Sequence, residues 1–219
     1  MKNMIKVKTF YVNDLRECCY VLYDQTGECV IVDPGLQTKN EQDRLVKFIE
    51  ENNLKPTKII CTHGHFDHVM GNAFVTQKWG VPTFIHPLDR GQLERAQQYC
   101  QMFGYSIEQP PLENLQDLEE GKDVTFGDSK LQVIHSPGHT RGGVCFYSAP
   151  DNFIITGDSL FQGSIGRTDL PGGDYDALME SLLNKVCKIA APNSVVYPGH
   201  GPETTIAQEL NTNPFLRYE

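Results

Sequence analysis

The sequence predicts a mixed α/β fold in one domain spanning residues 1–219. Short apolar runs rich in β-branched and aromatic residues recur along the chain, and segments with helical periodicity lie between some of them. No low-complexity linker divides the sequence. Two turn motifs, Phe126–Lys130 and Ala149–Asn152, indicate hairpins, so part of each sheet should be antiparallel. Layers of helix and sheet around a shared core follow from this alternation.

Eight strands are predicted, each from an apolar run of four to eight residues bounded by polar residues, Gly or Pro. The runs are Ile5–Val12, Cys19–Tyr23, Cys29–Val32, Lys58–Cys61, Leu131–Ile134, Val144–Tyr147, Phe153–Thr156 and Ser194–Tyr197.

Two amphipathic helices are predicted from apolar stripes. Asn40 is a candidate N-cap for a helix through about Asn53, and Asp174 for a second helix. A third, polar helix is expected from Arg90 to Met102, within an irregular segment that is either a surface connection or an excursion over the site. The apolar stripes consist of Leu45, Phe48 and Ile49 in the first helix, and of Leu178, Leu182, Val186 and Ile189 in the second.

Composition narrows the class of protein. The net charge of −9 argues against binding to nucleic acid or to an anionic membrane surface. Seven cysteines, without a C-x-x-C pair and mostly within apolar runs, are typical of reduced thiols. The segment Met1–Lys8 is charged and has no apolar stretch of the length expected for a signal peptide, and no apolar run approaches about 18 residues. We therefore expect a soluble, cytoplasmic protein; its oligomeric state stays open.

A cluster of metal-ligand residue types follows the strand at Lys58–Cys61. His63, His65, Asp67 and His68 lie within six residues. Imidazole and carboxylate are the ligands that zinc, iron and manganese accept, and a catalytic site uses about three protein ligands per metal. The sequence therefore predicts a metal site with room for two ions.

Further ligand types share this placement directly after a strand. Asp33, His139, Asp158 and His200 each follow an apolar run within about five residues, and each has Gly or Pro beside it. Gly and Pro permit the sharp turns that aim a side chain off a strand end. If the strands form two packed sheets, these turns can converge on one rim.

The ordered motifs His63–His68, Pro137–Thr140, Gly157–Ser159 and Pro198–His200 resemble those of the metallo-β-lactamase-fold hydrolases, from Asp33 to about Pro202. The resemblance implies a four-layer αββα sandwich with metals at one edge. It also implies a ligand set: His63, His65 and His139 on one metal, Asp67, His68 and His200 on a second, Asp158 bridging both, and Asp33 as a buried carboxylate that supports a ligand histidine.

Within that superfamily, the segment Leu160–Asp169 resembles the glyoxalase II group and its short single-domain relatives. Only 19 residues follow His200, so the helical glutathione-binding domain of full-length glyoxalase II is expected to be absent. The resemblance implies hydrolysis of a small thioester, such as S-lactoylglutathione, by a metal-bound hydroxide. The cofactor would be one or two Zn²⁺, with Fe or Mn as alternatives.

Several roles remain hypotheses. Asp158 would hold the nucleophile, and Asp67 would complete the second site and orient or move a proton. Candidate substrate contacts are Arg167, which could instead pair with Asp169, and also Gly166 and Tyr197. Two alternatives stay open: a persulfide dioxygenase with one iron on the positions of His63, His139 and Asp158, and another hydrolase of the same fold, such as a lactonase or β-lactamase.

Overall fold

The computed structural model describes residues 4–217. It divides into two compact units: Met1–Leu118 with Thr125–Lys130, and Glu119–Val124 with Leu131–Glu219. Residues 1–3 and 218–219 lie outside the described residues. They include the start of the segment Met1–Lys8 and the two ends of the predicted single domain. That the chain is a single domain stays a prediction. None of the helices in residues 4–217 has the length and apolar character needed to cross a bilayer.

The first unit contains a six-stranded sheet with the strands in sequence order. β1, β2 and β3 are antiparallel neighbours, whereas β3 to β6 run parallel. The parallel pairs place the carboxyl ends of β3 and β4 at the same edge, where Asp33 and the histidine cluster follow. The strands are β1 (Lys6–Val12), β2 (Glu17–Tyr23), β3 (Glu28–Val32), β4 (Lys55–Ile60), β5 (Thr83–Ile85) and β6 (Leu115–Asp117).

Five α-helices accompany this sheet: α1 (Lys39–Glu51), α2 (Phe66–Val69), α3 (Asn72–Trp79), α4 (Arg90–Glu94) and α5 (Ala96–Met102), with a 3₁₀ turn at Pro87–Asp89 before α4. The N-cap of α1 is Thr38 and not Asn40, because Thr38 and Glu41 form a reciprocal capping box. The polar helix expected over Arg90–Met102 is divided at Arg95. Leu45 and Ile49 of α1 join the apolar core of this unit.

The second sheet has the order β14-β13-β10-β9-β8-β7. Its pairs are antiparallel from β8 to β10, and β10 pairs in parallel with β13. The strands are β7 (Asp123–Phe126), β8 (Ser129–His135), β9 (Val144–Ser148), β10 (Phe153–Gly157), β13 (Val195–Pro198) and β14 (Thr204–Thr205), and a separate small hairpin is formed by β11 (Leu160–Phe161) and β12 (Ser164–Ile165).

The tip of the β7–β8 hairpin belongs to the first unit, where it packs against the turn between β2 and β3. The Asp24 carboxylate accepts hydrogen bonds from the Asp128 amide at 2.9 Å and the Ser129 hydroxyl at 2.7 Å. It also accepts from the amide and hydroxyl of Thr26. Four donors on one carboxylate fix this hairpin tip in place.

The helices of the second unit are α6 (Tyr175–Glu180), α7 (Cys187–Ile189) and α8 (Ile206–Thr212), and a π-helical segment, Ser181–Val186, joins α6 to α7. Asp174 caps α6 through the Ala177 amide, as predicted. The predicted apolar stripe holds for Leu178, Leu182 and Val186, which are fully buried. It is wrong for Ile189, which is 39% exposed, because the wider π turn rotates the following residues away from the buried face.

All eight predicted strands are present, with ends that differ by a few residues. The turns expected at Phe126–Lys130 and Ala149–Asn152 join antiparallel neighbours of the second sheet. Six strands were not predicted, most of them because they are too short to show a period of two: β5, β6, β7, β11, β12 and β14. The predicted mixed α/β class is confirmed.

Candidate metal centre

The first unit gathers most of the predicted ligands at the carboxyl end of β4. His63 and His65 lie in the turn after β4, and their rings are in contact, with Nε2 of His63 3.1 Å from Nδ1 of His65. Asp67 and His68 lie on the first turn of α2, and the rings of His63 and His68 have centroids 4.2 Å apart. Within this unit, Asp33, His63 and His68 each place one ligand-type atom within 4.8 Å of the others. These three side chains are buried.

Asp33 holds this turn through three hydrogen bonds. Its carboxylate accepts from the Thr62 amide at 2.7 Å and the Thr62 hydroxyl at 2.5 Å, and Nδ1 of His68 lies 3.0 Å away. With Nδ1 donating, Nε2 of His68 is left as the ligand atom. Asp33 adopts a left-handed φ of +45°, a conformation that non-glycine residues seldom adopt and that clusters at functional sites.

Glu17 is a buried carboxylate that the sequence analysis missed. Its side chain is fully buried, and Oε1 lies 3.7 Å from Nδ1 of His68, on the same ring edge as Asp33. The sequence does contain a signal for this residue, because Glu17 is a charged residue at the start of an otherwise apolar strand, directly before Cys18. The turn at Gly35 leaves no space for a larger residue here, because a Cβ would lie 2.1 Å from the Asp67 carbonyl oxygen and 2.4 Å from Glu17.

Asp89, also missed, supports the backbone between the two histidines of the turn. Its buried carboxylate accepts a hydrogen bond from the Gly64 amide at 3.1 Å. A Cβ on Gly64 would approach the Asp89 carbonyl oxygen to 2.8 Å. The 3₁₀ turn at Pro87–Asp89 therefore helps to fix the path of the chain from His63 to His65.

Helix α5 packs on α2, the helix that carries Asp67 and His68, and this places Cys100 near Asp67. Burial raises the pKa of the Cys100 thiol to about 11, and the negative charge of the Asp67 carboxylate adds to the effect. Asp67 is itself buried. The first unit therefore places three histidines and several carboxylates in a largely dry environment.

The second unit gathers the remaining predicted ligands around one carboxylate. Oδ2 of Asp158 lies 3.5 Å from Nε2 of His139 and 3.7 Å from Nε2 of His200. Asp158 follows β10, His139 lies in the turn after β8, and His200 follows β13. A shared carboxylate oxygen between two imidazole nitrogens is an arrangement that suits a bridging ligand.

The loop after β12 orients His139. Its Nδ1 donates a hydrogen bond to the Arg167 carbonyl oxygen at 2.8 Å, which leaves Nε2 as the ligand atom beside Asp158. Gly166 allows this close approach, because a Cβ there would lie 1.8 Å from the Asp158 carbonyl oxygen and 3.1 Å from Nδ1 of His139. The loop after β12 therefore packs directly against both His139 and Asp158.

A buried pair of serines joins the turns that carry His139 and Asp158. The Ser136 hydroxyl donates to the Ser159 hydroxyl at 3.0 Å, and both side chains are buried. Ser136 lies three residues before His139, and Ser159 directly follows Asp158. The hydrogen bond therefore fixes the spacing between two ligand-bearing turns of the same unit.

Two of the tentative substrate residues have structural partners. Arg167 makes a bidentate ion pair with Asp169, with both N···O distances 2.8 Å. This pairing raises the pKa of Arg167 and lowers that of Asp169 to about 2. The Tyr197 ring packs edge-on against Phe153, and burial raises the pKa of its hydroxyl. Substrate contacts by Arg167, Gly166 and Tyr197 stay predictions.

The donor chemistry of both units fits a borderline divalent cation. Imidazole nitrogen and carboxylate oxygen suit zinc, iron or manganese, and a thiolate is not among the predicted ligands. His68 and His139 each have a hydrogen-bond partner at Nδ1, so that Nε2 is the nitrogen each can offer to a metal. The chain therefore has the residues of a metal-binding protein.

Comparison with known proteins agrees with this chemistry. The family model "Metallo-beta-lactamase superfamily" matches residues 14–200. The hydroxyacylglutathione hydrolase GloC of Haemophilus influenzae is 33% identical over 213 residues, covering 97% of this chain and 98% of GloC.

Two solved structures have the same fold. One is the B3 metallo-beta-lactamase BLEG-1, with 36% identity, a TM-score of 0.86, and coverage of 96% of this chain and 99% of BLEG-1. The other is TTHA1623 in a di-iron-bound form, with 38% identity, a TM-score of 0.86, and coverage of 95% and 100%. Because sequence and fold agree over most of its length, the chain is a metallo-hydrolase of the metallo-β-lactamase superfamily.

Proposed function

We propose that the protein hydrolyses a small thioester, a hydroxyacyl-thiol of the S-lactoylglutathione kind. The observation that carries this proposal is the similarity to the hydroxyacylglutathione hydrolase GloC along 97% of the chain. The imidazole and carboxylate donors of both units fit the metal chemistry that ester cleavage requires. A thiolate leaving group is also a soft ligand that a metal can accept.

We propose seven metal ligands, four from the first unit and three from the second. The support comes from family membership and from the arrangement inside each unit. When bound, one or two divalent ions, Zn²⁺ with Fe or Mn as alternatives, supply water activation near neutral pH and polarisation of the carbonyl. The ligands are His63, His65, Asp67, His68, His139, Asp158 and His200.

The chain's own residues would divide the remaining work. Asp158, whose carboxylate faces His139 and His200, would orient the attacking water. Asp67 would hold or move its proton. Asp33 would keep His68 in the tautomer that leaves Nε2 to the metal, through the 3.0 Å contact at Nδ1. Capture of an anionic substrate group by Arg167 would require it to exchange Asp169 for the substrate.

We propose the cytoplasm as the site of action, and a small molecule, not nucleic acid or a membrane, as the substrate. Seven free thiols, six of them buried, support a reducing compartment. The net charge of −9 supports a substrate that is not a polyanion.

The test is elemental analysis of the purified protein, followed by release of free thiol from a thioester panel with and without a chelator. We expect bound transition metal and thiol release that the chelator abolishes. His139→Ala should lose both. His135→Ala is the matched control, because His135 lies in the same unit and bonds through Nε2 to the Arg141 carbonyl oxygen. Full metal content and turnover in His139→Ala would contradict the assignment.

Hydrolysis of β-lactams is a second candidate, favoured by the 36% identity to BLEG-1. A chromogenic cephalosporin in the same assay separates the two activities. Hydrolysis of the cephalosporin without release of thiol from any thioester would replace the first proposal. Oxygen uptake on a glutathione persulfide, with one iron per chain, would instead indicate the dioxygenase alternative.

A further inference from the structure

The surface of the first unit carries three aromatic rings in contact, which we name the aromatic platform: Phe66, Phe103 and Tyr105. The rings of Phe66 and Phe103 are stacked, with centroids 5.1 Å apart and planes inclined by 14°. Tyr105 lies 6.1 Å from Phe66. Phe103 is 64% exposed, and its neighbour Met102 is 71% exposed. A contiguous exposed apolar patch of this kind marks a binding surface more often than a single exposed residue does.

The platform is held by a defined helix end. The Tyr105 amide donates to the Cys100 carbonyl oxygen at 2.8 Å, and the Gly104 amide to that of Gln101 at 3.1 Å. Together with a left-handed φ of +82° at Gly104, these two bonds form a Schellman motif at the end of α5. The motif fixes the residues on both sides of Gly104. The exposed rings are therefore preorganised, which lowers the entropy cost of binding to them.

The platform adjoins the predicted ligands of its own unit. Phe66 is the first residue of α2 and stands between His65 and Asp67 in the sequence. From the last turns of α5, Cys100 lies close enough to Asp67 for the carboxylate charge to affect its thiol. The platform is therefore built on α2, the helix that carries Asp67 and His68, and on the end of α5, which packs against it.

We infer that the aromatic platform binds an apolar group of the substrate, an alkyl or aromatic group of about phenyl size. This inference rests on the proposed thioester hydrolysis and narrows its substrate to thioesters that carry such an apolar group on one arm, which S-lactoylglutathione itself does not. A stacked pair of rings offers a flat apolar surface that a second ring or a branched chain covers well, with centroid distances near 5 Å. A short polar acyl group would leave the rings in water. The apolar group belongs to either the acyl or the thiol arm of the thioester.

The test compares four thioesters on the metal-loaded protein. The acyl arm is probed with acetyl and phenylacetyl esters of N-acetylcysteamine, and the thiol arm with acetyl esters of methanethiol and benzyl mercaptan. Wild type is compared with Phe103→Ser, with Phe103→Tyr, which keeps a ring, and with Phe215→Ser. Phe215 is an exposed aromatic residue of the second unit, 42% exposed, and serves as the control. The ratio of mutant to wild-type kcat/KM for each ester removes differences in intrinsic reactivity.

We expect Phe103→Ser to lower kcat/KM about ten-fold for the esters of one arm that carry a phenyl group, and to leave the small esters unchanged. Phe103→Tyr should restore most of the loss, and Phe215→Ser should change nothing. Equal effects on small and phenyl esters, or no effect on either, would overturn the inference while leaving thioester hydrolysis intact. Loss of a dimer in Phe103→Ser, seen by sedimentation, would also overturn it, because a second copy would then cover the rings.

A binding measurement covers the case in which no thioester is cleaved. Phenylacetate and benzyl mercaptan are titrated into the metal-loaded protein against acetate and methanethiol. We expect the phenyl compounds to bind about ten-fold more tightly than their small counterparts, and Phe103→Ser to lose this preference. This result would support binding by the aromatic platform even if the proposed function had failed. Equal affinities would overturn the inference independently of turnover.

Discussion

Replacing Gly166 with alanine tests whether the loop after β12 positions the predicted metal ligands of the second unit, His139 and Asp158. The added Cβ would lie 1.8 Å from the Asp158 carbonyl oxygen, so the two chain segments must separate by more than about 1 Å. The φ of Gly166 is not in the left-handed region, so the cost comes from collision. Overpacking of this kind costs about 1–3 kcal/mol of stability.

The displacement also affects His139. The Cβ would press on its Nδ1 at 3.1 Å, and the neighbouring Arg167 carbonyl oxygen accepts the hydrogen bond that orients the ring at 2.8 Å. Loss of such an orienting partner typically weakens metal binding by about 10–100-fold. We therefore expect Gly166→Ala to reduce metal affinity by about that factor, measured by competition with a chromogenic chelator, alongside thermal unfolding of the metal-free protein.

Gly163→Ala is the matched control within the same loop. Gly163 has a φ of +69° but nothing within 4 Å of its hypothetical Cβ, so alanine strains the backbone without touching a ligand. We expect a loss of about 1 kcal/mol in stability with metal affinity unchanged. Wild-type metal affinity in Gly166→Ala would refute the reasoning, and so would equal affinity losses in the two variants.

Three more predictions follow from buried polar groups. Ser136→Ala and Ser159→Ala should each cost about 1 kcal/mol in the free energy of unfolding. Their double mutant should cost about 1 kcal/mol less than the sum, because both changes remove the same hydrogen bond. Additive costs would contradict that hydrogen bond. Burial would raise the pKa of Asp24, but hydrogen bonds from Thr26, Ser129 and the Asp128 amide outweigh it and hold the pKa below its ordinary value. Wild type should therefore be more stable than Asp24→Asn by on the order of 1 kcal/mol. This difference in the free energy of unfolding, measured by urea unfolding, should be complete above about pH 5 and decline as the pH falls through the lowered pKa. A difference that grew on acidification would contradict this prediction. Iodoacetamide at pH 8 should label the native protein slowly, because burial raises the pKa of the thiols of Cys29, Cys61, Cys145 and Cys187. All seven cysteines should react after denaturation, and mass spectrometry would show the number of labels.

The predicted ligand types were accessible to sequence analysis because each follows a strand within a few residues, next to Gly or Pro. Strand β4 followed by His63 and strand β10 followed by Asp158 are local patterns, and their positions in the structure agree with them. The cap of α1 was misplaced from Thr38 to Asn40, because both residue types cap helices and only the reciprocal bond with Glu41 decides between them.

The supporting carboxylates could not be found in the same way. Glu17 reaches His68 across a separation of 51 positions, and Asp89 reaches the Gly64 amide across 25, so neither has a local pattern. Their burial depends on how β2 and the 3₁₀ turn pack against the ligand turn. Ile189 was misplaced for a different, local reason: one π turn moved it out of an otherwise correct stripe.

That π turn separates two parts of the helix that differ in what their side chains contact. Leu178 meets the backbone at Gly138, and the Ser181 hydroxyl donates to the Pro137 carbonyl oxygen at 2.8 Å, so the amino-terminal half braces the loop that carries His139. Beyond Val186, Lys188 and Ile189 are exposed, whereas Ala190 is buried again in the same apolar core. Substitutions or a surface tag should therefore be tolerated at Lys188 and Ile189, whereas the same change near Leu178 would displace the loop that carries His139.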